Sequence, residues 1–295
     1  MKYLTSKEIA VKWNTSDRSV RNYCATNRVE GAYLEGKTWM IPEDATKPTR
    51  KNGAKRTLLA VLTAEMNNKI KGGIYHKLQI EMTYNSNHIE GSTLTIDQTR
   101  FIFETSTIGK NSDSINVDDV IEAKNHFRCI DYVINNAKNK LSESLIKELH
   151  YMLKNGTTDS YKDWFRVGDY KAYDNEVGGK KTTPKEKVAT EMKKLIDEYN
   201  SKDIVTINDI IDFHYKFESI HPFQDGNGRV GRLIMLKECL KYGIVPILIT
   251  DNFKSYYYRG LSEFNYEKGY LIDTCLNGQD IVKKYLDYFN IEYNE

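Results

Sequence analysis

The chain has 295 residues, 40% hydrophobic and 28% charged, which is room for two globular units. No run of about 18 apolar residues occurs, so no membrane span is expected, and residues 1–8 lack the apolar stretch of a signal peptide. Cys24, Cys129, Cys239 and Cys275 are too scattered for a zinc site or a disulfide framework, so reduced thiols in a cytoplasmic protein are expected.

The net charge of +2 is uneven. Residues 1–56 carry 12 Lys and Arg against 6 Asp and Glu, an excess of +6 that leaves −4 for the remainder. A basic head on an acidic body is a mild pointer to nucleic acid, although many basic faces are only solvated surface. Thr5-Ser6-Lys7-Glu8 reads as a capping box opening a short helix with Ile9, Ala10 and Trp13. Asn14 breaks that helix, and Thr15 or Ser16 caps a second one holding Val20 and Tyr23. Two strand-like runs follow around Glu35-Gly36. Residues 1–45 thus read as two helices and a β-wing, and the segment resembles the winged helix-turn-helix modules of excisionase and MerR-type regulators. That resemblance makes Arg18, Arg21 and Asn22 the DNA-facing candidates, against a docking module that kept the fold and lost DNA. Residues 46–57, with Pro48 and Gly53 among charges, read as a linker.

The rest is helical by pattern, divided as 58–110 and 111–295. Val120, Ala123, Phe127, Ile130 and Ile134 keep helical spacing, as do Leu145, Ile146, Leu149, Met152 and Leu153. Residues 170–182 look like a hairpin around Gly178-Gly179. Thr183-Pro184-Lys185-Glu186 looks like a capped helix start. Leu233 to Leu236 belong to a buried central helix ending near Gly243.

The chemistry concentrates in residues 221–232, HPFQDGNGRVGR. Pro222 ends one helix near His221, and the next begins near Gly228. Gly226 and Gly228 around Asn227 at a helix start let backbone N–H groups approach a phosphate. Arg229 and Arg232, three apart, would offer two guanidinium forks from one face. Asp225 is one hard carboxylate beside that anion site, suited to Mg²⁺. His221 is a candidate general base with a pKa suited to neutral pH. Singly, each of these features is a turn, a surface histidine or a solvated face; together within twelve residues they are hard to assign to packing.

Every defined position of the Fic signature, H-x-F-x-[D/E]-G-N-G-R-x-x-R, is present here, and the chain resembles the Fic family over roughly 65–280. The resemblance implies a mainly α, Fic-type helical bundle with a β-hairpin flap. It further implies AMP transfer from ATP to a Ser, Thr or Tyr hydroxyl of a target protein. His221 would be the base, Asp225 the magnesium ligand, and Asn227 with Gly226 and Gly228 the α-phosphate cradle. Arg229 and Arg232 would hold the outer phosphates and Phe223 would anchor the loop. Tyr257 or Tyr258 would line the adenosine pocket, with packing an equal contender for each. The target would pair along the 170–182 hairpin. Ser86, Glu90 and Gly91, following Ile74, Leu78 and Met82 on one helical face, resemble the family's inhibitory motif, in which Glu90 would pair with Arg232. Removal of AMP, transfer of another nucleotide, and a DNA-binding regulator that senses nucleotide are the competing readings. No membrane partner is expected, and DNA and a second copy of the chain stay open as partners.

Overall fold

A computed structural model describes residues 2–25, 28–48, 57–108 and 114–293, with the side chain of Arg18 outside the description. The chain divides into two compact units, Met1–Lys55 and Arg56–Glu295. Of the expected linker, residues 46–48 have no regular structure and 49–56 lie outside the described residues.

The first unit holds β1 (Tyr3–Thr5), α1 (Ser6–Lys12), α2 (Asp17–Ala25), β2 (Tyr33–Glu35) and β3 (Thr38–Pro42). Thr5 and Glu8 form the capping box: the Thr5 hydroxyl accepts from the Glu8 N–H, and the Glu8 carboxylate accepts from the Thr5 N–H at 2.8 Å. Asn14, with φ of +47°, turns the chain between the helices, and the Ser16 hydroxyl accepts from the Ser19 N–H at the start of α2. The strands run antiparallel in the order β1-β3-β2, with Tyr3 opposite Pro42 and Leu34 opposite Trp39. The third strand, β1, has no counterpart in the sequence reading: three residues are too few to show a period of two. Ile9, Trp13, Val20, Cys24 and Ile41 close a small core.

The second unit begins with α3 (Leu58–Asn67), α4 (Ile74–Ile89), α5 (Ile96–Thr105), α6 (Val117–Asn136) and α7 (Glu143–Lys154). A minimal hairpin, β4 (Glu176–Val177) and β5 (Lys180–Lys181), precedes α8 (Lys185–Asn200), α9 (Ile207–Ile220), α10 (Asn227–Tyr242), α11 (Lys254–Glu263) and α12 (Gly269–Tyr288). The unit is mainly helical. Its axis is α10, which packs against α4, α6, α7 and α9. Val230, Leu233, Ile234, Met235, Leu236 and Cys239 of α10 are buried, and so are its Arg229, Lys237 and Glu238, so the helix is enclosed on nearly every side and its charged residues must find partners inside. Gly243, with φ of +68°, ends it. All four cysteines are buried and free. No described helix is long and apolar enough to cross a membrane.

Two local expectations change. The strand pairs of the hairpin are Glu176 with Lys181 and Val177 with Lys180, extended by the Thr182 N–H donating to the Asn175 carbonyl at 3.3 Å, so pairing spans 175–182 rather than 170–182. Gly178 and Gly179, at φ of +56° and +75°, make the two-residue turn. Tyr170 and Lys171 leave the hairpin because they pack at its base, where the Lys171 N–H donates to the Pro222 carbonyl at 2.9 Å. The start of α8 is not capped by Thr183; Asp174, from across the hairpin, accepts from the Lys185 N–H at 2.8 Å.

Leu149 is fully buried where α7 meets α6 and α10. Leu149→Ala is expected to destabilise the second unit by about 2–5 kcal/mol, read as a lowered urea midpoint at unchanged slope. A loss well under 1 kcal/mol would contradict this packing.

Candidate functional site

The site is built on a rigid loop between two helices. α9 ends at Ile220, and His221 turns the chain with φ of +51° while its N–H donates to the Phe217 carbonyl at 2.9 Å. Phe223 is fully buried and its ring stacks on His150 at 4.0 Å and 3°. Gly226, at φ of +82°, leads into α10. Asn227 is buried and laces the loop: its Oδ1 accepts from the Phe223 N–H and its Nδ2 donates to the Phe223 carbonyl, both at 2.8 Å. Its side chain is therefore spent on holding the loop, and the expected phosphate contact from it is corrected to the backbone of the helix start. His150 fixes the other side. The Gly168 N–H donates to its Nδ1 at 2.9 Å, so its Nε2 carries the hydrogen and donates to the Asp225 carbonyl at 3.1 Å.

His221 is half-buried beside this loop. Burial, and then the Lys171 ammonium, push its imidazole down to about 4, against the pull of the Glu218 carbonyl and the Glu90 and Asp225 carboxylates. The expectation of a base tuned near neutrality is corrected accordingly: the ring is neutral and ready to accept a proton, but weakly basic until an anion arrives. Lys171 is itself buried on neutral partners, Asn175 Oδ1 at 2.8 Å and Thr182 Oγ1 at 2.6 Å, and burial lowers it to about 8.

The two motif arginines diverge. Arg229 is buried, pairing with Glu122 of α6 and, at 3.1 Å, with Asp225 Oδ2. Lys154 of α7 joins them, its Nζ 2.6 Å from both Glu122 Oε1 and Asp225 Oδ2. Asp159 Oδ2 lies 3.6 Å from the same Nζ, so two cations face three carboxylates, and although burial opposes it, Arg229 and Lys154 hold the Asp225 carboxyl well below its usual range. The ion pairs of Asp225 with Lys154 and Arg229 both fall on Oδ2, its side chain is 45% exposed, and no cluster of three or more acidic, His or Cys ligands exists among the described residues. One carboxylate with an oxygen outside those pairs is the kind of donor set that holds Mg²⁺ when phosphate oxygens and water complete the shell.

Arg232 turns the other way. Its Nε donates to Ser86 Oγ and its Nη2 to the Ser86 carbonyl, each at 2.9 Å, and Nη2 pairs with Glu90 Oε1 at 2.7 Å. The pair lies at the edge of the interior, with side chains 8% and 25% exposed. Glu90 caps the C-terminal end of α4, and Gly91, at φ of +100°, leads the chain away. The carboxylate lies directly on the first turn of α10: a Cβ at Gly228 would collide with Glu90 Oε1. Tyr257 is 1% exposed, donates to or accepts from His214 Nε2 at 2.7 Å and lies under Arg232, so it is a buried support and not a surface for a base. Of the expected pair only Tyr258 is exposed, and its hydroxyl donates to the Ile89 carbonyl at 3.1 Å.

Several contributors escaped the sequence reading. Glu122 and Lys154 sit inside apolar helical stripes, and a charge at a core position was the available signal. Glu218 packs against Gly231, and burial with the nearby Glu90 raises it to about 8. His126 is buried behind the arginines, its Nδ1 2.9 Å from Thr83 Oγ1, and burial and both guanidiniums lower it to about 3. In the first unit, Arg21 Nε pairs with Asp17 Oδ2 of its own helix at 3.0 Å and Asn22 is exposed, while the Arg18 side chain lies outside the described residues.

Residues 140–239 match the Fic/DOC family. Two relatives named Protein adenylyltransferase Fic share the region. One from Drosophila willistoni is 31% identical over 189 residues, covering 62% of this chain and 36% of its own. One from Nematostella vectensis is 27% identical over 187 residues, covering 62% and 42%. The chain therefore spans only about two fifths of the length of these relatives. A Fic domain containing signaling protein from Bacteroides thetaiotaomicron superposes with a TM-score of 0.63 at 26% identity, over 80% of this chain and 99% of that one. Fic-1 from C. elegans shares the fold with a TM-score of 0.63 at 19% identity, over 79% and 71%.

A histidine held near 3 in the fold and near 6.5 in the unfolded chain binds its proton mainly in the unfolded state, so its stabilisation is present at pH 7 and lost as pH falls. In His126→Gln the dependence of unfolding free energy on pH between pH 4.5 and 6 is expected to flatten by about 1.4 kcal/mol per pH unit. Urea unfolding at several pH values reads this; equal slopes in parent and variant would contradict it.

Proposed function

We propose that this chain, which carries a Fic domain, transfers AMP from ATP to a hydroxyl of a target protein and holds itself off through Glu90. The relatives named as protein adenylyltransferases support the reaction, and one observation supports the arrangement. A carboxylate of the chain itself lies on the start of α10 and on Arg232, where the helix dipole and a guanidinium favour an anion.

In this reading the triphosphate competes with Glu90 for that anion position. With Glu90 withdrawn, Arg232 turns to phosphate oxygens, and the N–H groups at the start of α10 receive the charge that builds on the α-phosphate. The phosphate charge raises the basicity of the neutral His221 ring, which takes the proton of the target hydroxyl. The hydroxyl oxygen forms the new bond to the α-phosphorus, the bond to the bridging oxygen breaks, and pyrophosphate leaves. The exposed edge of Glu176–Val177 suits an extended target segment, which would add as a further strand. Asp225 would hold Mg²⁺ through the oxygen outside its two ion pairs, and the ion would supply positive charge to the phosphates.

Glu90→Gly is expected to raise AMP incorporation roughly 5- to 150-fold, the range of a typical coupling energy of about 1–3 kcal/mol. Intact mass spectrometry after incubation with ATP reads the added mass of one AMP, on the chain or on an added target. Adding His221→Ala should abolish incorporation while ATP binding persists. An unchanged rate in Glu90→Gly removes the brake; undiminished labelling in the double variant removes His221 as the base.

A further inference from the structure

We propose that Glu218 is a positioning residue of this site: its carboxyl sits one notch beyond Glu90 on α10, and by staying neutral it leaves Arg232 free to take a phosphate. This rests on the reading of the site as a nucleotide site and specifies what keeps its exchangeable arginine available.

α9 and the residue that ends it bring His214, Glu218 and His221 to one side, each about one turn after the last. The main chain of Glu218 serves the base, since its carbonyl faces the His221 ring. Its side chain goes to α10. There Gly228 and Gly231, one turn apart, cut two notches in one face of the helix. Glu90 Oε1 fills the first, with Arg232 Nη1 3.0 Å from where a Cβ of Gly228 would stand. Glu218 Oε1 and His214 Nδ1 fill the second, 2.7 and 2.8 Å from where a Cβ of Gly231 would stand. Arg232 bends back over Gly228, and its charge acts on both carboxyls.

The two carboxyls are not equivalent. Glu90 pairs with Arg232 Nη2, whereas Glu218 Oε1 is fully buried and has no hydrogen-bond partner among the described residues. A charge left there is costly, and a second negative charge beside Glu90 adds to the cost, so Glu218 keeps its proton at neutral pH. Burial and then Glu90 raise it to about 8, while Arg232 pulls the other way. The other titratable groups around it are neutral at pH 7: burial lowers His214 and His221 on its own side and raises Tyr257 and Tyr258 of α11.

The consequence is for exchange. Nη1 is the arm of Arg232 not engaged by Ser86 or Glu90, with a long contact of 3.4 Å to the Tyr257 hydroxyl. Once Glu90 withdraws, an ionised Glu218 would draw that arm and compete with the incoming phosphate, which a neutral one cannot do. A bound phosphate in turn raises Glu218 further, so nucleotide and proton bind together. Affinity is then full below the value of the free site and falls as pH rises through it.

The test uses the full chain carrying Glu90→Gly, titrated in Mg²⁺ with the α,β-methylene analogue of ATP, which cannot transfer AMP. Isothermal calorimetry between about pH 7 and about pH 9.5, in buffers of different ionisation enthalpy, reads affinity and proton uptake together. Affinity is expected to fall about tenfold or more over this range, with about one proton taken up per nucleotide at the alkaline end. Adding Glu218→Gln, or Glu218→Met as a second uncharged side chain of similar length, should cut the fall to about threefold or less and remove that uptake. Lys171, lowered to about 8 by burial, titrates in the same range but is common to all forms and cancels in the comparison. An affinity in Glu90→Gly that does not change with pH overturns the proposal without recourse to a Glu218 variant, as do parallel profiles in Glu90→Gly and in either folded Glu218 variant. Absence of nucleotide binding in every folded form at every pH would instead overturn the nucleotide reading itself.

Discussion

Two guanidinium groups enter the interior on the first two turns of α10, and each has to meet a carboxylate there. An arginine cannot shed its proton to escape burial, so Arg229 and Arg232 oblige the surrounding helices to deliver negative charge. α6 delivers Glu122 and the loop delivers Asp225 to Arg229; α4 delivers Glu90 to Arg232. The difference between the two is depth. Arg229 is closed in by Glu122, Asp225 and the neighbouring Lys154, whereas the partner of Arg232 sits at the end of a helix with a quarter of its side chain exposed. The second pair is therefore the easier of the two to exchange for a mobile anion. The same demand for a buried countercharge makes one arginine a fixed strut and the other, in the proposed function, the contact that a phosphate would take over.

This division was only half legible in the sequence. Residues three apart on a helix do share a face, and on that ground both arginines read as phosphate forks. Side-chain length defeats the inference: an arginine reaches several ångströms from its Cα, and its direction is set by whichever carboxylate the tertiary fold brings near. Ser86 and Glu90 were readable as a pair because they lie one turn apart on one helix, and the structure brings both to Arg232. Glu122 and Lys154 were not, since their partners are 107 and 71 residues away in the chain. Charged residues within apolar stripes are the one trace such pairs leave.

Local chemistry was readable where backbone geometry decides it. The break at His221-Pro222, the helix start after Gly226 and the Gly178-Gly179 turn follow from residue types alone. What electrostatics decides was not. His221 looked like a base near neutrality because an exposed imidazole is one; its burial beside Lys171 is a property of the assembled loop and hairpin base. Asn227 looked like a phosphate ligand because of its place between two glycines. Its two bonds to Phe223 show that its first duty is to keep the loop in one conformation. The cap of α8 likewise comes from Asp174, eleven residues before the helix begins.

The loop that carries His221 is also the anchor of the hairpin, so in the proposed function target docking and the geometry of the base share one support. The Lys171 N–H holds the Pro222 carbonyl, and Asn175 Nδ2 donates to the Phe223 carbonyl at 3.2 Å. Lys171 Nζ bridges Asn175 and Thr182, the two sides of the hairpin base. A strand added to the outer edge of the hairpin pulls on residues bonded directly to the residues that follow the histidine. The Lys171 ammonium is in addition the charge that, after burial, most depresses the imidazole. In the proposed function, a shift of the hairpin base that moves Lys171 away would raise the basicity of His221, and a segment seated on the hairpin would then tune the base as well as present its hydroxyl to it. A single lysine thus braces the hairpin mechanically and faces His221 electrostatically, because the two lie on one continuous hydrogen-bonded loop, and the proposed function would use both roles at once.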